Sequence, residues 1–299
     1  MKVKSLSVVA MMAVIIGVIN VNGADSLPAN LPSGIVGWYA AGHGVTNRSG
    51  AVATDGDLVG TWVDQSGNGY TLRDYGYNEY SNAPTYIASS AGGQPALQFG
   101  VIEDKSDVMR SDDLSSYSNN VVGSIFIVFQ PNTNIISSSA SQALVDFTYS
   151  SGNRAINLGQ VTGIFNNEII TVFGEGTNAS GGVANTRSGW LDPADSIPSN
   201  IVHFLSVIHN SALEDFDIYL DGVKIDNAKD QFQHDMFTME RINIGHHANV
   251  WNDGLFAYQG LISEVILFDS ALDVTDQATV EDYLNNKYNP PRGTVIIVH

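Results

Sequence analysis

The chain has 299 residues, with 13 Lys and Arg against 31 Asp and Glu, a net charge of −18 and no cysteine. A surface this acidic repels phosphate backbones and anionic membranes, which argues against nucleic acid as a partner. With no disulfides, a chain of this size must hold itself together by its core, alone or with a bound metal.

Residues 1–23 read as a secretory signal peptide. Lys2 and Lys4 form a basic start, Val8–Ile19 is an unbroken apolar run of 12 residues, and small residues follow at Gly23 and Ala24. The run is shorter than the roughly 20 residues a bilayer crossing needs. A buried helix or an uncleaved anchor is the competing reading. Cleavage removes two of the 13 basic residues and no acid, so 11 face 31 acids and the net charge becomes −20. The expected location is extracellular or cell-surface, with no membrane insertion after cleavage.

Residues 24–33 form a short lead. Strand-like runs follow at Ile35–Ala40, Gly123–Gln130, Ala143–Tyr149, Ala155–Leu158, Ile169–Phe173 and Ile201–His209. Asp215–Asp221 alternates strictly. Phe216, Ile218 and Leu220 share one face, and Asp215, Asp217, Tyr219 and Asp221 share the other. Asp221-Gly222 signals a hairpin turn into Val223–Ile225. Arg241–Gly245 and Leu261–Phe268 complete the strands. One helix is convincing: Asp273 caps it, Asp276 favours its first turn, and Val280, Tyr283, Leu284 and Lys287–Tyr288 give it an apolar side. Asn289-Pro290-Pro291 ends it. The expected fold is an all-β, two-sheet antiparallel β-sandwich over 34–290, with a short C-terminal helix plugging one end. Residues 291–299 form a tail. Thr294–Val298 is apolar and β-branched, fit for an edge strand or for strand addition to a neighbouring molecule.

Several stretches, in order, resemble the concanavalin A-like, laminin-G-like jelly-roll domains of exported microbial proteins. They are Gly34–Ala41 (GIVGWYAA), Thr54–Leu58 (TDGDL), Thr61–Leu72 (TWVDQSGNGYTL), Ala83–Tyr86 (APTY), Gly93–Phe99 (GQPALQF), Ser124–Phe129, Asp217–Val223 (DIYLDGV) and Gly260–Tyr288. The resemblance implies a jelly-roll sandwich and a glycan partner, often with structural calcium near such loops. Thr294–His299 departs from the family pattern, which ends near the helix. Trp38 and Trp62 read as core aromatics rather than ligand platforms.

Three candidate sites stand out. In the loop Asp64–Gly69, oxygen-bearing side chains alternate at Asp64, Ser66 and Asn68, like the first half of a calcium loop. Tyr75 stands where a bidentate acid would be needed, so this is no EF-hand. A partner acid would have to come from Asp55, Asp57 or Glu264. The alternative is a tight turn, with Asn and Gly chosen for backbone geometry. The second site is the tyrosine cluster Tyr70, Tyr75, Tyr77 and Tyr80. The third is His246, His247, Asn249, Trp251, Asn252 and Asp253. Aromatic rings beside amides and acids suit sugar recognition, because ring faces stack on pyranose CH groups while polar groups hold hydroxyls. The same rings would equally staple long loops to the body. Adjacent His246 and His247 on a strand point opposite ways, which disfavours a shared zinc.

Asn47-Arg48-Ser49 and Asn178-Ala179-Ser180 fit the glycosylation sequon. A retaining glycosidase needs carboxyl groups about 5–5.5 Å apart. The nearest acids, Glu214, Asp215 and Asp217, run straight into the hairpin. The expectation is therefore a non-catalytic binding domain for extracellular polysaccharide. A self-associating structural or adhesive surface protein is the first alternative, and a polysaccharide hydrolase or lyase the second.

Overall fold

The computed structural model describes residues 28, 30–74, 81–90, 92–102, 105–116, 120–135, 141–148, 154–159, 169–177, 183–190, 196–211, 215–225, 228–229, 233–234, 236–246 and 256–289. The signal peptide, Glu214, the Asn178 sequon and the tail at Thr294–His299 lie outside the described residues.

Two large sheets face each other. The first runs Val223–Lys224, Asp215–Leu220, His203–Asn210, Ser124–Pro131, Gly260–Phe268, Ala96–Phe99 and Thr85–Ile87, with Ile35–Ala40 also on Gly260–Phe268. The second runs Val45–Asn47, Val59–Trp62, Leu72–Asp74, Met109–Arg110, Asn243–Ile244, Gln142–Asp146, Ala155–Leu158, Ile170–Thr177, Val183–Trp190 and Ala228–Lys229. Pairing is antiparallel except where Ser81–Asn82 meets Ser106–Asp107 and Gln142–Ala143 meets Phe256–Ala257. The expected sandwich is what the chain forms.

The strand Ser124–Pro131 shows why its sequence is apolar without alternation. Ile125, Ile127 and Phe129 enter the core between the sheets, opposite residues such as Trp62, Leu144 and Ile156. Phe126 and Val128 face the other way, into a second apolar layer with Trp38, Ile266 and Phe268. The helix Val274–Tyr288 supplies Val280, Leu284 and Tyr288 to that layer. It therefore covers the outer face of the first sheet rather than plugging an end of the sandwich. Both faces of Ser124–Pro131 are dry, which selects apolar residues at consecutive positions.

Asp215–Leu220, on the sheet's edge side, is wet on one face and keeps its alternation, with Phe216 and Ile218 fully buried. Its turn residues Asp221 and Gly222 sit at φ of 53° and 77°, the left-handed pair a two-residue hairpin requires. At the helix start, Asp273 Oδ1 accepts from Thr275 N at 2.8 Å and Asp276 N at 2.9 Å.

Candidate functional site

The loop after Val59–Trp62 is held by its own polar atoms. Asp64 Oδ1 accepts from Trp38 N and Ser66 N, each at 2.9 Å. Its Oδ2 accepts from Ser66 Oγ at 2.8 Å and Tyr70 N at 3.1 Å. Asn68 Nδ2 reaches the carbonyls of Ile35 and Val36 at 3.2 Å. Gly67 and Gly69 take φ of 91° and 80°. A carboxylate has about four lone-pair positions, and here four protein donors fill them. The loop thereby ties the first strand to the second sheet.

The three acids considered as partners are each engaged elsewhere. Asp55 accepts from Ala88 N at 2.9 Å. Asp57 accepts from Thr54 N and Oγ1 at 2.8 and 2.9 Å, which holds its carboxyl below the ordinary range. Among the described residues, no three acids or histidines gather as a metal site would need.

Glu264, fully buried, collects four donors of its own. Trp38 Nε1 and Tyr283 OH donate to Oε1 at 2.6 and 2.9 Å. Lys287 Nζ and Tyr288 OH donate to Oε2, each at 2.7 Å. The hub pins the helix to the sheet. Burial first, then the Glu264 charge, pushes the Tyr288 phenol well above its ordinary value, so it stays a donor at any working pH.

Topology sets the strands that precede the other two sequence clusters on either side of one strand. Leu72–Asp74 and Asn243–Ile244 both pair antiparallel with Met109–Arg110, which lies between them. The two outer strands are therefore parallel and leave the sheet at the same end, about 10 Å apart at two strand spacings. From Asp74 the chain enters 75–80, and from His246 it enters 247–255. Tyr75, Tyr77, Tyr80, His247, Asn249, Trp251, Asn252 and Asp253 themselves lie outside the described residues. Tyr70 is described and buried, with its carbonyl accepting from Tyr39 OH at 2.6 Å. Tyr70 and the Asp64–Gly69 loop precede Leu72, at the opposite end of the same strand.

That shared rim holds an acid pair that sequence reasoning missed. Asp107, just ahead of Met109–Arg110, is 4% exposed, and its Oδ2 accepts from Gly100 N at 2.9 Å. Asp74 Oδ2 accepts from Arg48 Nε at 2.6 Å. The Oδ1 of each acid is buried without a hydrogen-bond partner. Burial above all, and then the nearby Asp74 charge, pushes the Asp107 carboxyl up to about 7, against the Gly100 hydrogen bond and the Arg48 charge. No linear spacing marks this pair, because residues 33 positions apart meet only through strand pairing.

Across the outer face of the second sheet, the register sets Thr46, Thr61, Arg73, Arg110, Asn243 and Asp146 in one row. Thr46 and Thr61 hydroxyls lie 2.5 Å apart, and Arg110 Nε donates to Asn243 Oδ1 at 2.5 Å. The candidate catalytic acid Asp217 accepts from Asn210 Nδ2 at 3.0 Å and pairs with Lys224 at 2.7 Å, a strand-edge ion pair. At the first sequon, Asn47 Oδ1 accepts from Ser49 N, Ser49 Oγ and Ala51 N, and Nδ2 donates to Asp57.

No family model and no curated protein matches the chain. Solved structures do match it. The binding domain of botulinum neurotoxin DC in complex with SialylT aligns with a TM-score of 0.51 at 13% identity, over 84% of this chain and 52% of that one. Domain 4 of AbnA, a GH43 extracellular arabinanase from Geobacillus stearothermophilus, in complex with arabinotriose, aligns at 0.45 and 15%, over 83% and 97%. The receptor binding domain of botulinum neurotoxin D aligns at 0.44 and 12%, over 84% and 53%. The chain spans about half the length of the toxin domains it matches. At these identities the likeness is one of fold, and the first alignment is the one that bears on it.

Proposed function

We propose that the chain is an exported, non-catalytic sandwich module of the concanavalin A-like kind that binds extracellular polysaccharide. The rim where Leu72–Asp74 and Asn243–Ile244 leave the second sheet is its binding edge. One observation carries the reading. The strands Leu72–Asp74 and Asn243–Ile244, which precede two segments rich in rings, amides and acids about 170 residues apart in sequence, run parallel on either side of Met109–Arg110 and end at the same edge of one sheet. Loops on a rigid sandwich are where recognition residues sit, and paired aromatics with amides match the amphipathic faces of sugars. The neighbour with the TM-score of 0.51 is by its own description a binding domain in complex with SialylT, which agrees with this use of the fold. Asp217 pairs with Lys224 and Asn210 on the edge strands, away from the proposed rim.

A glycan array on residues 24–299, run with and without calcium, tests the reading. Binding to an extracellular polysaccharide is expected. Trp251→Ala or Tyr77→Ala should weaken binding at the rim by about tenfold or more, enough to lose it from the assay, the usual scale for truncating an aromatic anchor. No binding in either condition would sink the proposal. The family resemblance implies calcium near such loops. The four donors already on Asp64 make that loop self-sufficient, so no rise in melting temperature is expected from calcium acting there. A rise of several degrees, abolished by Asp64→Asn, would show instead that the ion replaces those donors.

A further inference from the structure

On the other side of the molecule from the second sheet, a cleft of about 500 Å³ opens between the lead and the helix. Pro28 and Asn30 form one wall, Asp282, Tyr283, Asn286 and Lys287 the other, and the Trp38 indole closes the floor. The four helix residues fall at i, i+1, i+4 and i+5, so they form a single stripe. We propose that this cleft is a second saccharide site, for an uncharged oligosaccharide of two or three rings; it rests on the carbohydrate reading above.

The chemistry of the walls decides the ligand class. Tyr283 and Lys287 are fixed from below, because both bond Glu264 and Lys287 Nζ donates to Tyr283 OH at 2.9 Å. The ammonium also stands 5.3 Å from the Tyr283 ring centroid. Two of the three Lys287 N–H bonds are thereby spent, and the third is left for a ligand on a side chain that is 21% exposed. Asn30, Asp282 and Asn286 are exposed at the mouth. The cleft therefore offers one rigid donor from Lys287, mixed donors and acceptors from two amides, and an acceptor carboxylate from Asp282, above an aromatic and proline surface. Hydroxyl groups both donate and accept, so a diol matches this mixture.

Charge excludes the acidic sugars. Lys287 is neutralised by Glu264, which leaves Asp282 as the uncompensated charge in a molecule of net charge −18. A uronate or sulfate would meet that carboxylate at close range. The volume lies inside the range of about 300–1,000 Å³ typical of small-ligand sites.

Isothermal titration of the full chain with neutral trisaccharides (cellotriose, maltotriose and laminaritriose) and with tri-galacturonate tests the proposal. A neutral trisaccharide should bind at two sites per chain, and tri-galacturonate should not bind in the cleft. The double variant Asp282→Ala/Asn286→Ala removes exposed side chains without touching the Glu264 hub. It should keep the melting temperature and lower the stoichiometry from two to one. Trp251→Ala should remove the other site and leave the cleft. Unchanged stoichiometry in the double variant, with loss of all binding in Trp251→Ala, overturns the cleft and leaves the rim reading standing. Tri-galacturonate binding that the double variant abolishes overturns the ligand class. If no oligosaccharide binds the wild type, the carbohydrate reading itself fails and the cleft proposal falls with it.

Discussion

Glu264 brings a carboxylate to a place with no solvent, and its stability there depends on four donors drawn from two elements. Removing a buried charge that others are arranged around leaves them unpaired, at a cost of about 3 kcal/mol. Glu264→Gln should lower the urea midpoint accordingly, with Lys287→Met the cheaper variant because that side chain is 21% exposed.

Two further residues tie stability to pH. Burial, the largest single influence, lowers the His203 value, but the Asp221 hydrogen bond and charge and the Pro198 carbonyl together outweigh it, and the net shift is upward. A raised basic group stabilises fully below its unfolded value of 6.5, and that contribution is lost as pH rises through the higher folded value. Asp107 acts in the same direction. Its carboxyl rises from 3.8 to about 7, so its folded environment is best tolerated below 3.8 and is progressively penalised up to about 7. Unfolding free energy should therefore decline between about pH 4 and 8. Asp107→Asn should flatten the lower part of that decline and give a higher urea midpoint than wild type at pH 8. A wild-type midpoint that rises over this interval would contradict both assignments. Asp57 and the exposed Asp113 have lowered values, so their contribution runs the other way and is lost only on strong acidification.

At the scale of elements, the helix depends on its cap and on one buried stripe. Asp273→Ala removes the acceptor for two amide hydrogens and should cost about 1 kcal/mol, readable as a lower melting temperature with little change in circular dichroism. Local pattern was legible where one physical demand acted alone. The alternation of Asp215–Leu220, the Asp221-Gly222 turn and the Asp273 cap were all readable, since each answers to its nearest neighbours. The Asp64–Gly69 loop was legible only as a choice between ion and turn. Alternating oxygens serve both, and the choice depends on Trp38 N and Tyr70 N arriving from outside the loop.

At the scale of the molecule, the helix is a third layer. Val280, Leu284 and Tyr288 cover Phe126, Val128, Ile266 and Phe268, and each such side chain contributes about 1.5–3 kcal/mol by burial. Truncation after Leu272 should expose that face, giving strong dye binding and aggregation in light scattering, whereas loss of 291–299 alone should leave the sandwich folded. A soluble, monomeric truncation at Leu272 would mean the outer face is not a core.

The sequence by itself determined the strand-rich class, the single helix and the two-sheet sandwich. Apolar periodicity and capping are set within a few residues of one another. Only the tertiary structure decided that Glu264 gathers its four donors from the helix and Trp38, and that Asp74 and Asp107 come near each other. It alone also showed that the strands ending at Asp74 and Ile244 run parallel on either side of Met109–Arg110. Those relations run through strand order and register, in which a residue's neighbour is chosen by pairing across the sheet and leaves no mark in linear spacing.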